Sequence, residues 1–190
     1  MQKCIATVDE TREILTKYCI NPKERYGQNF LVSPKVPTLV SNNSLIGKET
    51  LVIEIGPGLG SMTQFLAQSA KKVLCYEIDS SLCSILKDIF SNIHNVEIKN
   101  SDFLKVDLKN IPIEGYSNVV IVSNLPYYIT SDILCKIFLS GFKCDCIAMM
   151  QKEFAHRILN KKDINELVLY SHMFNEVSIL TEVTKNDFFP

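Results

Sequence analysis

Apolar residues in this chain alternate between short continuous runs and stretches spaced at helical intervals. Leu51-Val52-Ile53-Glu54-Ile55, Val73-Leu74-Cys75-Tyr76, Val96-Glu97-Ile98-Lys99, Val119-Val120-Ile121-Val122 and Cys146-Ile147-Ala148-Met149-Met150 have the length and composition of strands inside a sheet. Between them the spacing turns helical. Met62, Phe65 and Leu66 share one face; Leu82, Ile85, Leu86, Ile89 and Phe90 share another behind Asp79-Ser80. Ile133, Leu134, Ile137 and Phe138 follow the capping candidates Thr130 and Ser131 and precede Gly141, a residue suited to end a helix. Near the N-terminus, Thr7 and Glu10 have capping-box spacing and predict a helix carrying Ile14, Leu15 and Tyr18 that stops at Asn21-Pro22. A second helix is predicted from Ser33-Pro34, burying Val36, Leu39 and Val40. Residues 154–159 and 167–174 read as helices, and residues 177–183 as a further strand. Alternating strands and helices predict an α/β fold, a mostly parallel sheet with helices on both faces.

The chemistry gathers where the predicted strands end. The first run leads into Gly56-Pro57-Gly58-Leu59-Gly60, a loop whose glycines let the backbone approach a ligand before a helix begins. The second ends in Glu77, a carboxylate placed to accept bonds from ribose hydroxyls, and the third leads to Asp102-Phe103, an acceptor for an adenine amino group beside an apolar wall. The fourth ends in Asn124-Leu125-Pro126-Tyr127. An exocyclic amine delocalises its lone pair into the base ring, so it attacks a methyl group poorly unless acceptors take its protons. The Asn124 amide oxygen and a nearby carbonyl supply such acceptors, Pro126 stiffens the turn, and Tyr127 offers a stacking face for an unstacked base. Ligands of open α/β sheets lie beyond the carboxyl ends of the strands, where all these groups fall. The Gly-x-Gly-x-Gly spacing disfavours a nicotinamide oxidoreductase, which would also have no use for the Asn124 turn.

Taken in order, Gly27-Gln28-Asn29-Phe30-Leu31, Glu54-Ile55-Gly56-Pro57-Gly58-Leu59-Gly60, Tyr76-Glu77-Ile78-Asp79, Asp102-Phe103, Asn124-Leu125-Pro126-Tyr127-Tyr128-Ile129 and Gln151-Lys152-Glu153 resemble the S-adenosylmethionine-dependent ribosomal RNA adenine dimethylases over about residues 23–190. The resemblance is to the small-subunit branch. It implies a Rossmann-like class I methyltransferase fold, with Asn29, Leu31, Gly56, Glu77, Asp102 and Asn124 lining the S-adenosylmethionine site, Gln28, Gly58 and Ile78 beside them, and Phe103 against the cofactor adenine. It further implies direct transfer of the methyl group to adenine N6 without a metal. Asn124 and the Leu125 carbonyl would then hold the amine, Pro126 the turn, and Tyr127 and Phe188 the base. Phe188 reads equally well as a hydrophobic plug. Thr184-Lys185 and Asn165-Glu166-Leu167 depart from the family pattern, and the family's last antiparallel strand and C-terminal RNA-docking helical domain have no counterpart in these residues. The expected organisation is a helical arm and cleft-crossing strap over residues 1–35, then the methyltransferase domain over residues 36–190, with a sheet lacking its last strand and a loose edge near residues 177–183. Macrolide-resistance methylases of large-subunit RNA and noncatalytic RNA- or DNA-binding relatives share most of these motifs and remain alternatives.

Composition adds bounds. A chain of 190 residues with 46% hydrophobic content is long enough for one core. A net charge of −1 is not the footprint of a nucleic-acid binder, although Lys17, Lys23, Arg25 and Lys35 surround residues 27–30 and are candidates for meeting phosphate. The 7 cysteines lack Cys-x-x-Cys spacing, which points to a reducing compartment and a cytoplasmic location. Cys144 and Cys146 have His156 as their single nearby companion, and His94 and His172 are isolated, so no metal site is expected. No run reaches the length of a membrane span. A monomer acting on ribosomal RNA, within a small-subunit precursor, is the expectation.

Overall fold

The computed structural model describes residues 3–23, 26–160, 165–174 and 176–190. In chain order the elements are α1 (Val8–Lys17), β1 (Phe30–Leu31), α2 (Lys35–Ser41), β2 (Thr50–Ile55), α3 (Thr63–Ser69), β3 (Lys72–Glu77), α4 (Ser80–Ile89), β4 (Val96–Asn100), β5 (Asn118–Asn124), α5 (Thr130–Leu139), β6 (Asp145–Met149), α6 (Lys152–Leu159), α7 (Glu166–Phe174) and β7 (Phe188–Phe189). Five strands form one parallel sheet in the order β4-β3-β2-β5-β6. The order reverses between β2 and β5, where Ile55 lies opposite Ser123. A crevice opens at such a point because the connections leave to opposite sides.

Strand alternation divides the core. Leu51, Ile53, Ile55, Leu74, Tyr76, Val119 and Ile121 face the layer made by Ile133, Leu134 and Ile137 of α5, Ile158 of α6 and Leu167 of α7. Val52, Val73, Cys75, Val120 and Val122 face α2 and α3. A third cluster joins Ile5, Ile14, Leu15 and Phe30 to Leu82, Ile85 and Leu86 of α4 and to Phe90 at its C-terminal cap, so the N-terminal arm is packed onto the domain. The α1 cap is half of the expected box: Thr7 Oγ1 accepts from the Glu10 N–H, while the Glu10 carboxylate pairs with Lys3. α4 begins as read, with Asp79 Oδ1 accepting from the Ser81 N–H at 3.0 Å. Thr130 instead donates to the Pro126 carbonyl at 2.9 Å and ties α5 to the turn before it.

The structure corrects three expectations. Residues 177–183 are not a strand: no ladder takes up their backbone groups, the parallel sheet ends at β6, and Ile179 and Leu180 stay exposed. Leu39 is 40% exposed, because the short α2 packs through Val36, Pro37, Val40 and Ser41. The cleft-crossing strap is less irregular than expected, since Phe30 and Leu31 pair antiparallel with Phe189 and Phe188. Arg25 lies outside the described residues.

Candidate functional site

The glycine loop leaves β2 against two neighbours that leave no room for side chains. A Cβ at Gly60, where φ is +91°, would stand 2.5 Å from the Phe90 ring and 3.2 Å from Leu86, so this glycine lets α4 pack against the loop. Gly58, with φ of +62°, lies under Phe30 of the strap, and its N–H reaches Glu77 Oε2 at 3.3 Å. Gly56 has nothing within 4 Å of where a Cβ would be.

Glu77 is 4% exposed at the end of β3. Burial raises its carboxyl above the usual range, against N–H bonds from Asp79 and Gly58. A carboxylate has about four lone-pair positions, so two such bonds leave acceptor capacity toward the cleft. Glu54 is also buried, under α3, where Thr63 Oγ1 donates to it at 2.6 Å and Cys75 Sγ at 3.6 Å. Burial pushes its carboxyl up to about 7, against those two bonds, and the charge of Glu77 adds to the rise. Asp102 Oδ1 accepts from the Leu104 N–H, and Phe103 is buried edge-on to Tyr76 at 5.6 Å.

Two recesses share this floor. One, of about 760 Å³, is lined by Gln28, Glu77, Ile78, Asp102, Phe103 and Tyr128 among others; the second, of about 400 Å³, runs under the strap past Leu31 and Glu54. Asn29, Phe30, Gly56, Gly58 and Asn124 line both. Every sequence-read cofactor residue thus borders one recess or both. Asn124 ends β5 and donates through Nδ2 to the Asn29 carbonyl at 3.3 Å, so its amide nitrogen is used by the strap and Oδ1 remains the acceptor. Leu125 is buried and donates to the Met149 carbonyl at 2.9 Å, anchoring the turn to β6. Pro126 lines the larger recess and Tyr127 is 64% exposed beside it. Phe188, half-buried, pairs with Leu31 and packs against the cluster containing Val36 and Val40.

Some lining residues carry no sequence signal of their own. Tyr128 follows Tyr127 and lines the larger recess, as do Tyr76, Leu82 and Ile133, whose apolar character fits core equally well. Of the lysines near the strap, Lys17 pairs with Asp88 at 3.5 Å and Lys23 with Asp79 at 2.8 Å. Only the second pair has a buried partner; the Lys17–Asp88 pair lies in solvent. His172 Nε2 lies 2.8 Å from the Ile158 carbonyl, joining α7 to α6. Among the described residues no three metal-binding side chains gather, and no helix is long and apolar enough to cross a membrane.

The donor set suits an adenosine-bearing cofactor: acids at the ends of β3 and β4, an apolar wall at Phe103 and an open approach at Gly56. Comparisons with known proteins agree. The family model described as ribosomal RNA adenine dimethylase matches residues 20–190. Ribosomal RNA small subunit methyltransferase A of Lysinibacillus sphaericus is 38% identical over all of this chain and 67% of its own length, as are the proteins of that name from Listeria innocua and Geobacillus thermodenitrificans. The chain therefore spans about two thirds of these relatives. Among solved structures, the 23S rRNA methyltransferase ErmE aligns with a TM-score of 0.66 at 30% identity, over 76% of this chain and 57% of that one. A dimethyladenosine transferase from Plasmodium falciparum aligns with a TM-score of 0.57 at 30% identity, over 68% of this chain and 46% of the other.

Proposed function

Because the chain belongs to the ribosomal RNA adenine dimethylase family, we propose that its two recesses bring S-adenosylmethionine and an adenine amino group together beside Asn124. The activity is S-adenosylmethionine-dependent dimethylation of adenine N6 in small-subunit ribosomal RNA. The small-subunit assignment rests on relatives matched over the whole chain at 38% identity, against 30% over 76% of it for the large-subunit enzyme.

When bound, S-adenosylmethionine supplies a methyl group made electrophilic by the sulfonium. Glu77 and Asp102 accept hydrogen bonds from the ribose and the adenine amino group, and Phe103 is the wall for that ring. Gly56, Asn29 and Leu31 form the floor and the strap side of the site. Asn124 Oδ1 accepts a hydrogen bond from one N–H of the target amine and the Leu125 carbonyl one from the other, which localises the nitrogen lone pair and stabilises the positive charge that develops there. The proton then leaves to water. Tyr127, exposed at the cleft rim, stacks on the extruded base, and Pro126 keeps these groups in register.

We place the substrate adenines within a small-subunit precursor. In support, a net charge of −1 over these 190 residues gives them little general attraction for naked RNA, which suits a substrate presented within an assembled particle. The 7 cysteines, all unpaired, suit a reducing compartment such as the cytoplasm.

The observation carrying the mechanism is the Asn124 amide, tethered through its nitrogen to Asn29 and bordering both recesses. Labelled-methyl transfer to undermethylated small ribosomal subunits tests it. Asn124→Ala is expected to lower turnover by about 10²-fold or more, while calorimetric affinity for S-adenosylmethionine changes by a modest factor. Unchanged turnover removes Asn124 from the mechanism.

A further inference from the structure

Asp79 is 3% exposed at the N-terminus of α4, and the transfer chemistry makes no use of it. Its surroundings exceed the needs of a helix cap. Besides the Ser81 N–H, its carboxylate accepts from Lys23 Nζ at 2.8 Å and from Gln28 Nε2 at 3.0 Å. Gln28 Oε1 in turn accepts from the Lys23 backbone N–H at 2.9 Å. Both ends of the Gln28 amide are therefore committed within the protein, although the residue borders the larger recess. Burial alone would raise the Asp79 carboxyl, yet Lys23, Gln28 and the Ser81 N–H together hold it below its usual range, so the charged form is the one these groups favour.

The same residue reaches the cleft from its other side. The Asp79 N–H donates to Glu77 Oε1 at 2.9 Å, and Glu77 Oε2 accepts from the Gly58 N–H. One chain of bonds thus runs from Lys23 and Gln28 through Asp79 to the Glu77 carboxylate and the glycine loop. Farther along, the strap is held by the Asn124 bond to the Asn29 carbonyl and by pairing of β1 with β7. Ahead of residue 29, Lys23 and Gln28 both reach the domain at Asp79, and Lys23 Nζ also lies 3.5 Å from Ser81 Oγ.

We propose that Asp79, with Gln28 and Lys23, is a latch that holds the strap across the donor recess and sets the Glu77 carboxylate in place. Asp79 is then a positioning residue, acting through Gln28 and Glu77. The inference rests on reading the recess as the S-adenosylmethionine site. Ordering the strap before the donor arrives removes an entropic cost from binding, so loosening the latch is felt in donor affinity first. Charge-assisted bonds at a site shielded from water are strong enough for this, and breaking one is expected to cost about tenfold in affinity.

The polarity of the Gln28–Asp79 contact supplies the test. Gln28→Glu sets two carboxylates against each other, and Asp79→Asn can set two amide groups against each other. The double variant Gln28→Glu, Asp79→Asn restores a donor facing an acceptor with the roles exchanged. Affinity for S-adenosylhomocysteine by calorimetry, hydrogen exchange of the amides of residues 28–32, and unfolding midpoints are measured on the full chain. Each single variant is expected to bind about tenfold more weakly, with faster strap exchange and a larger rise in the donor KM than fall in kcat; the double recovers most of the loss. Singles that bind like the parent, or a double no better than its weaker single, overturn the latch. If a single does not fold, Lys23→Met removes the ammonium at the more exposed end and is held to the same result. A parent that binds no S-adenosylhomocysteine refutes the cofactor reading instead, and strap exchange across the variants still decides the latch.

Discussion

Glu54 shows how a residue inside an apolar strand can carry a pH signature. Its carboxyl is buried and raised to about 7 from an ordinary value of 4.5. A group whose proton is held more tightly in the folded state favours folding at low pH. That advantage is lost as pH rises from near 4.5 toward 7, and above 7 the whole cost of the buried charge remains. Glu54→Gln keeps an acceptor for Thr63 and removes the titration. Denaturant unfolding at pH 5 and pH 8 is expected to show a stability difference in the parent that shrinks by about 2 kcal/mol in the variant. An undiminished difference would mean that Glu54 stays ionised throughout. At the rim, Tyr127 and Tyr128 are 64% and 61% exposed, and just the second is counted in the recess lining. If stacking is the work of Tyr127, Tyr127→Phe keeps the ring and is expected to retain turnover within about threefold, whereas Tyr127→Ala loses about ten- to a hundredfold, as removal of one stacked aromatic does. Equal losses would assign the hydroxyl a role instead.

The glycine loop is shaped by the element packed against it. α4 sets Phe90 and Leu86 where a Gly60 side chain would begin, so the loop's spacing serves helix packing at that position as much as ligand approach. Gly60→Ala is expected to destabilise the fold by about 1–3 kcal/mol from overpacking, with backbone strain added. Joining it to Phe90→Leu, which makes room at the ring, should recover part of the loss, and chemical denaturation measures both. If the two losses simply add, the Phe90 contact is not the cause. At the opposite edge, the half-buried β6 has β5 as its ladder partner, while residues 177–183 join no described ladder and are tied to α6 through Lys152 and Glu182 at 2.7 Å.

For the whole molecule, charge and shape act separately. The cleft is lined by acids and aromatic rings, and of the lysines near the strap Lys23 is committed to Asp79 while Lys17 makes an exposed pair with Asp88. Naked RNA should therefore bind with a shallow salt dependence, losing less than about tenfold in affinity between 50 and 200 mM salt, where a protein making many phosphate contacts loses about a thousandfold or more. A steep dependence would reveal a basic surface beyond these lysines. Much of this protein was legible in the residues themselves. Runs of β-branched residues, changes of period and glycines at strand ends are local, and they specified five parallel strands, the helices between them and a site at the carboxyl ends. The motif order likewise located Glu77, Asp102 and Asn124 in one cleft. Pairing and packing between distant segments were beyond that reading. Whether residues 177–183 find a ladder, whether Phe188 pairs with Leu31, and where the ends of Gln28 go depend on which surfaces meet after the chain collapses. The partner of Gln28, Asp79, lies fifty-one positions away and becomes its neighbour because α4 packs beneath the strap.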